Sequence, residues 1–366
     1  MRINFFGDYI TKDPYSISIS DNLRSIINSA DYNVVNFEAP LEGYGEKQHK
    51  SGPVLSQSRK SPIWLRENNF NVYSLANNHF LDYGYQAAMS SINAFAEDTF
   101  HVGTGIADEA LQPIILSDNR IKVAIFSLAE LQFGILHDEW NDKQKYGCGW
   151  INNPKVNNII RNTKSKVDYI VLIAHAGLEG VDLPLPEWRS RYHELIDCGC
   201  DIIIGGHTHT CQGFEKYKNK YICYSLGNFC FPQKLGHGDS WHNGEMVLID
   251  MDKDCLKLEI MGIQLNGHHL ELLPQEDWEN KLARLNSLLL EDQYLNHVNE
   301  IVLKQLEFYN SLFNLSGYIY HNKNLLKSIG RYILGRCNSI HLLNNLQCET
   351  HRWCIARALK LKLELN

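Results

Sequence analysis

The sequence predicts an α/β fold built on layered sheet, and three observations carry the expectation. Short runs rich in Val, Ile, Tyr and Phe alternate with helical stretches through the first two-thirds of the chain. Polar residues of metal-ligating type follow several of those runs directly. Strand signals then fade near Leu272, beyond which leucines recur at helical intervals.

Taken in order, strands are expected at Ile3–Phe6, Asn33–Phe37, Asn71–Leu75, Lys122–Leu128, Tyr169–Ala174, Asp201–Ile204, Tyr221–Ser225 and Glu245–Met251. Each has the length and composition of a buried strand. Helices are expected between them at Asn22–Ser29, Pro62–Asn68, Tyr85–Ala96 and Pro186–Cys198. The last carries Pro186 at its start and Gly199 just beyond its end, the usual asymmetry of helix caps. The polar stretch Pro40–Ser61, with Gly43, Gly45, Gly52 and Pro53, reads as a long loop, of the kind that is functional or disordered. From Glu276 to about Phe313 the pattern is helical, with Leu282, Leu285, Leu288, Leu289 and Leu295. The chain is therefore expected to divide into a domain over 1–273 and a helical C-terminal extension over 274–366.

Of 366 residues, 44% are apolar and 21% charged, close to an average globular protein. The 35 basic against 42 acidic residues give a net charge of −7, which argues against a general nucleic-acid binder. No run approaches the ~18 consecutive apolar residues of a membrane span. Met1-Arg2 leads straight into Ile3-Asn4-Phe5-Phe6-Gly7-Asp8 without the apolar stretch of a secretory signal. The ten cysteines form no CxxC pair, so reduced thiols and a cytoplasmic location are expected. Residues Lys323–Asn366 depart from the average: eight basic against two acidic side chains make +6, leaving −13 elsewhere. On a helix, Ile355, Leu359 and Leu363 would form a stripe flanked by Ala356 and Arg352. That stripe either packs on the domain or lies on an anionic membrane surface, at the inner face of the membrane.

The strongest local signal is Gly205-Gly206-His207-Thr208-His209 after Asp201–Ile204. The glycines are expected to supply the turn that brings both imidazoles to one point. Imidazole suits Zn, Fe, Mn or Ni. Asp8, Glu38, Asn77-Asn78-His79 and His175 also follow apolar runs, and the carboxyl ends of strands in an open α/β sheet form the ligand crevice. Each has a plainer reading alone: Asp8 as a helix or turn cap, Glu38 as a solvated charge, Asn77 and Asn78 as turn residues, His175 as a core histidine. Their coincidence at strand ends favours one metal site.

The order and spacing of Gly7-Asp8, Asn36-Phe37-Glu38, Ala76-Asn77-Asn78-His79-Phe80-Leu81-Asp82-Tyr83-Gly84, His175-Ala176-Gly177-Leu178-Glu179, Gly206-His207-Thr208-His209 and Tyr224-Ser225-Leu226-Gly227-Asn228-Phe229 resemble the poly-γ-glutamate capsule protein CapA family. That family has the calcineurin-like metallophosphoesterase fold, so the resemblance implies a four-layer α-β-β-α sandwich. It also implies two divalent ions, Mn, Fe or Zn. Glu38 would bridge them, Asp8 and His209 would hold the first, and Asn78, His175 and His207 the second. His79 would protonate the leaving-group oxygen. Asn77 stands where most metallophosphoesterases have Gly. Many of them carry Asp-x-His at the first motif, where this chain has Asp8-Tyr9-Ile10, which implies a weaker first site. Asp82 either orients His79 or caps the helix near Tyr85. Glu179 either contacts an imidazole or substrate, or is a solvated loop carboxylate. Asn228 is a site or turn residue, Cys230 a core residue, and His49 and Lys50 either bind a substrate phosphate or carboxylate or belong to a flexible polar loop. The function implied is metal-dependent phosphoester hydrolysis in capsule or surface-polysaccharide synthesis, on a phosphorylated saccharide or lipid-linked polymer precursor. The rival reading is a metal-binding scaffold or accessory subunit without turnover. A role on the amide bonds of poly-γ-glutamate rests on the family name alone.

Overall fold

The computed structural model describes residues 1–137, 145–232, 239–313 and 339–364. Period-two alternation in the apolar runs decides the layering. In the strand Arg2–Tyr9, Ile3 and Phe5 enter one core while Phe6 and Tyr9 enter another. In Tyr169–His175, Val171 and Ile173 join the core of Ile3, whereas Ile170, Leu172 and Ala174 face a third. Strands with two apolar faces need cover on both sides.

In chain order the strands are β1 (Arg2–Tyr9), β2 (Ser18–Ile19), β3 (Tyr32–Phe37), β4 (Val72–Ser74), β5 (Phe100–Val102) and β6 (Thr104–Ile106). There follow β7 (Ile114–Ser117), β8 (Lys122–Ala129), β9 (Tyr146–Cys148), β10 (Tyr169–His175), β11 (Ile202–Gly206) and β12 (Phe214–Tyr217). The last are β13 (Lys220–Cys223), β14 (Asn228–Cys230), β15 (Asn243–Asp252), β16 (Cys255–Asn266) and β17 (His269–Leu272). The helices are α1 (Asp21–Asn28), α2 (Ser61–Glu67), α3 (Gly84–Ile92), α4 (Val156–Lys164) and α5 (Pro186–Cys198). Beyond Pro274 come α6 (Gln275–Ser287), α7 (Glu291–Phe313), α8 (Ser339–Gln347) and α9 (Glu349–Glu364).

One sheet runs β2-β17-β16-β15-β1-β3-β4-β5, with β14 beside the end of β1, and the other runs β12-β13-β11-β10-β8-β7. The core of Ile3, Val34, Ile125 and Ile204 lies between them. Leu23, Ile27, Trp64, Leu65 and Ala88 of α1, α2 and α3 cover the outer face of the first sheet. Ile160, Trp188, Tyr192, Val302 and Cys354 of α4, α5, α7 and α9 cover the outer face of the second. The result is the expected four-layer α-β-β-α sandwich. Parallel β1, β3 and β4 deliver their carboxyl ends to the place where parallel β10 and β11 deliver theirs.

All eight expected strands and four expected helices form, with ends displaced by a few residues. The twelve-residue β16 has no counterpart in the expected set, although Leu256, Leu258 and Ile260 alternate there with Lys257 and Glu259. The helices past Pro274 bury Tyr294, Val298, Tyr309 and Ala358 in the same core as α5, and Trp278 and Leu285 against Cys211. In α9 the packed face is Thr350, Cys354 and Ala358, so the stripe expected at Ile355, Leu359 and Leu363 is rotated off it. Ile355 is half-buried, while Leu359 and Leu363 are 46% and 77% exposed. Lys323, Lys327, Arg331 and Arg336 lie outside the described residues. Among the described residues no helix is long and apolar enough to cross a membrane, and the nine cysteines are free thiols, Cys230 buried in the core.

Candidate metal centre

Asp8 sits at a bulge. The register of β1 shifts between Phe6 and Asp8 against β3, and between Asp8 and Tyr9 against β14. Such a bulge re-aims a side chain out of the strict alternation. It is locked by Asp8 N donating to Gly227 O at 3.1 Å. Only glycine fits at position 7, where a Cβ would lie 2.0 Å from Gly227 O.

Asp8 and Glu38 are both fully buried, on neighbouring strands. The Asn36 side-chain amide lies between them, donating from Nδ2 to Asp8 Oδ1 at 2.7 Å and to Glu38 Oε2 at 2.6 Å. Asn77 Nδ2 donates to Asn36 Oδ1 at 3.1 Å and so holds that amide with its donors toward the carboxylates. Asn77 Oδ1 meanwhile accepts from His79 N and Phe80 N, shaping the turn that presents Asn78 and His79. Burial favours the neutral form of Asp8, but His209, His175 and Asn36 outweigh it and hold its pKa at about 2. Burial and the neighbouring Asp8 charge push Glu38 well up. Glu38 Oε1 has no hydrogen-bond partner and faces His175 Nε2 at 3.7 Å and His209 Nε2 at 4.0 Å.

The second sheet contributes the imidazoles. His175 ends β10, and His207 and His209 follow β11, both with positive φ, +82° and +55°. The glycines before them do not supply that conformation, contrary to the sequence reading. Gly205 and Gly206 belong to the strand, and a Cβ on Gly205 would fall 1.8 Å from Tyr224 O. Close approach of β11 to the next segment requires the glycine, and the histidines themselves take the left-handed backbone, a strained conformation that recurs at functional sites. His209 Nδ1 donates to Asn228 Oδ1 at 2.9 Å and lies 3.2 Å from Asp8 Oδ2, which turns Nε2 toward Glu38 Oε1 at 4.0 Å. Asn228 is itself oriented by Nδ2 donating to Trp241 O. Burial opposes charge on His209, yet Asp8 outweighs it and raises its pKa. Burial holds His175 down at about 3 and His207 well down, aided by neighbouring histidines, so both are neutral with lone pairs to offer. His175 Nε2 stands 3.0 Å from Asn78 Oδ1 and 3.1 Å from His207 Nδ1.

His79 belongs to a separate cluster at the edge of this group. Its Nδ1 is 2.7 Å from Asp82 Oδ2 and 3.2 Å from Lys50 Nζ. Lys50, from the long loop, also pairs with Asp82 Oδ1 and donates to Asn78 O at 2.8 Å. Asp82 thus orients His79 and anchors the loop through Leu55 N, and it is not a helix cap. Lys50 is almost fully buried rather than on a loose polar loop. Burial and Lys50 lower the pKa of His79 while Asp82 works the other way. Glu179 is 46% exposed, 3.9 Å from His207 Nε2.

Three neighbours escaped the sequence reading. Asn36 was visible only as part of a motif. Glu130, buried at the end of β8, puts Oε1 3.5 Å from His207 Nε2 and was detectable by the strand-end argument applied to Asp8. Gln132 Nε2 is 3.0 Å from His207 Nε2, a contact with no local signal.

The oxygens and nitrogens of Asp8, Glu38 and His175 come within 4.8 Å of one another. A buried carboxylate oxygen without a partner, set among imidazoles, is the donor set of a divalent cation with mixed O and N preference. The residues fit the metals the resemblance implies.

A model of the family described as "Bacterial capsule synthesis protein PGA_cap" matches residues 2–233. The chain belongs to this family. It is 30% identical over 216 residues to the capsule biosynthesis protein CapA of Bacillus anthracis, covering 57% of this chain and 52% of that protein. It is 29% identical over 237 residues to the PGA biosynthesis protein CapA of Bacillus subtilis, covering 62% and 60%. The match thus spans between half and three-fifths of those two CapA proteins. A probable polyglutamine synthesis accessory protein of Mycobacterium tuberculosis is 24% identical over 277 residues, 70% of this chain and 73% of that protein. Among solved structures, a hypothetical protein from Thermus thermophilus aligns with a TM-score of 0.46 at 13% identity, covering 72% of this chain and 99% of that one. A 5'-nucleotidase from Candida albicans aligns at 0.42 and 16%, covering 72% and 52%.

Because metal binding free energy is partly folding free energy, chelator should lower the melting temperature of this PGA_cap protein. His207→Ala should lose both bound metal and thermal stability. A melting curve that chelator leaves unchanged contradicts a resident metal.

Proposed function

We propose that the protein is a metal-dependent phosphoesterase of capsule or surface-polysaccharide synthesis, acting on a phosphorylated saccharide or a lipid-linked polymer precursor. The observation that carries the reading is the partnerless, fully buried Glu38 Oε1 between imidazoles, next to an independently held His79–Asp82 pair. In this proposal Glu38 bridges two divalent ions, Mn, Fe or Zn. Asp8 and His209 hold the first ion, and Asn78, His175 and His207 the second. Ile10, which replaces the further histidine of many metallophosphoesterases, is buried with Phe231 and Trp241 and offers the first ion no ligand, which supports a weaker first site. Two such ions supply an activated water and neutralise the phosphoryl oxygens.

The remaining work falls to protein groups. Asn36 and Asn77 keep the carboxylates apart and aimed. Asp82 holds the His79 ring through Nδ1, and Lys50 fixes Asp82. A phosphoryl anion beside the ring favours its protonated form for the Coulombic reason that Lys50 disfavours it. His79 then gives its proton to the leaving oxygen.

The accessory reading draws on the description of the mycobacterial relative. It predicts bound metal with no turnover of any phosphoester, and so is separated by the same assay. Peripheral contact with an anionic membrane belongs to the proposal as well, through exposed Leu359 and Leu363 beside Lys360 and Lys362.

Turnover of 4-nitrophenyl phosphate with added Mn²⁺ is the direct test. His79→Ala should cut it by ~10²–10⁴, the contribution of general acid catalysis, at unchanged metal content. Metal lost together with activity would make His79 a ligand instead. Co-sedimentation with anionic liposomes at low salt, abolished by removal of residues 350–366, is the expected membrane result, and protein left in the supernatant contradicts it.

A further inference from the structure

The cavity beside the candidate centre has a volume of about 390 Å³, in the lower part of the range of small-molecule sites. Asn78, His79, Gln132 and Glu179 line it on the side of the centre. With His79 as the proton donor to the leaving oxygen, the alcohol half of a phosphoester lies in this cavity.

The opposite boundary is made of side chains that hold one another. Lys50 Nζ lies 5.3 Å over the Phe133 ring. Ser51 Oγ, next in sequence, is 2.6 Å from His341 Nδ1 of α8. One turn further along α8, Asn345 Oδ1 accepts from His351 Nδ1 of α9 at 2.9 Å. The His351 ring stands 5.2 Å from that of Tyr309 in α7. All of these residues line the cavity, so their contacts join the long loop, α8, α9 and α7 around it. Two buried bonds fix α9 to the sheet side: Glu130 Oε2 accepts from Thr350 N at 3.0 Å, and Glu349 Oε2 from Leu131 N at 3.0 Å.

Behind the centre the space is filled. His209 packs against Trp241 and Phe231, with ring centroids 4.6 and 5.5 Å apart. Those two rings belong to a buried apolar cluster with Ile10, Ala39 and Leu55. A substrate chain that reaches the centre therefore meets apolar packing beyond it and turns back into the cavity. Exposed Gly52, Pro53 and Glu179 mark the mouth. A phosphoryl group in the interior of a polymer has two arms, and both would have to leave past the linked side chains. One at a chain end has a single arm, and one on a small alcohol has none.

We propose that the Ser51–His341 contact, which joins the long loop to α8, makes this site selective for a phosphoryl group on a chain end or a small alcohol, against one in the interior of a polymer. The assignment rests on the phosphoester reading and narrows its substrate. It favours a saccharide phosphorylated at its end over a lipid-linked precursor, whose phosphate lies between lipid and glycan.

Two maltoheptaoses test this, one phosphorylated at O6 of the non-reducing terminal glucose and the other at O6 of the central glucose. The ester chemistry is the same in both. The full-length Mn²⁺-loaded protein should hydrolyse the terminal ester with a kcat/KM about 10²-fold higher, the scale on which pocket shape discriminates. Calorimetric titration with the isosteric methylene phosphonates, whose P–C bond resists hydrolysis, should show the same order of affinity. Combining Ser51→Ala with His341→Ala, at a native melting curve, should bring both ratios toward one by admitting the central ester. Equal handling of the two positions by the wild type, or ratios that the double substitution leaves unchanged, overturns the proposal. Failure of both phosphonates to bind overturns the proposal and the phosphoester reading together. Selective binding of the terminal phosphonate without turnover of any phosphoester supports the end-selective pocket and overturns only the hydrolase.

Discussion

Two carboxylates buried side by side are the constraint around which this protein is arranged. Asp8 lies in β1 and Glu38 directly follows the adjacent parallel β3, with no solvent to screen them. Their desolvation and mutual repulsion must be offset locally. Asn36 offsets part by donating to both, and Asn77 fixes Asn36. His209 and the bulge at Asp8 offset more. Asp8 Oδ2 and Glu38 Oε1 are still left without a hydrogen-bond partner, and Oε1 faces two imidazoles. The first sheet brings acid and amide, the second brings imidazole, and packing the two sheets face to face joins the halves. A cation belongs where they meet.

Much of this was legible in the sequence because strand ends have a simple signature: an apolar run followed within a few residues by Asp, Glu, Asn or His. That pattern located Asp8, Glu38, Asn78, His175, His207 and His209, and all six come together. Glu130 carries the same signature after β8 and was passed over for want of a matching motif. Lys50 was noticed only as a residue of a polar loop, and its burial against Asp82, like the position of Gln132, depends on how the chain folds back on the sheets. The glycine argument was right about place and wrong about cause, for Gly205 answers to the carbonyl of Tyr224 rather than to the turn. In α9 the helical period was correct, but the buried face is set by Glu130 and Trp188 gripping Thr350, contacts across more than 160 residues of chain.

The C-terminal helices are more than an appendage in energetic terms. They close the outer face of the second sheet with Tyr294, Val298, Val302 and Ala358, and their start is bonded to a carboxylate that itself touches His207. The family model matches up to residue 233, whereas the cavity beside the candidate centre is lined both by residues within that match and by residues of α7, α8 and α9.

The central claim is that Glu38 lies between two cations. Anomalous diffraction at the manganese edge, from crystals grown with Mn²⁺, tests it most directly. The account predicts two peaks ~3.5–4 Å apart on either side of the Glu38 carboxylate, the weaker beside Asp8 and His209 and the stronger beside Asn78, His175 and His207. Manganese peaks only at other sites, or none at Glu38, would contradict it.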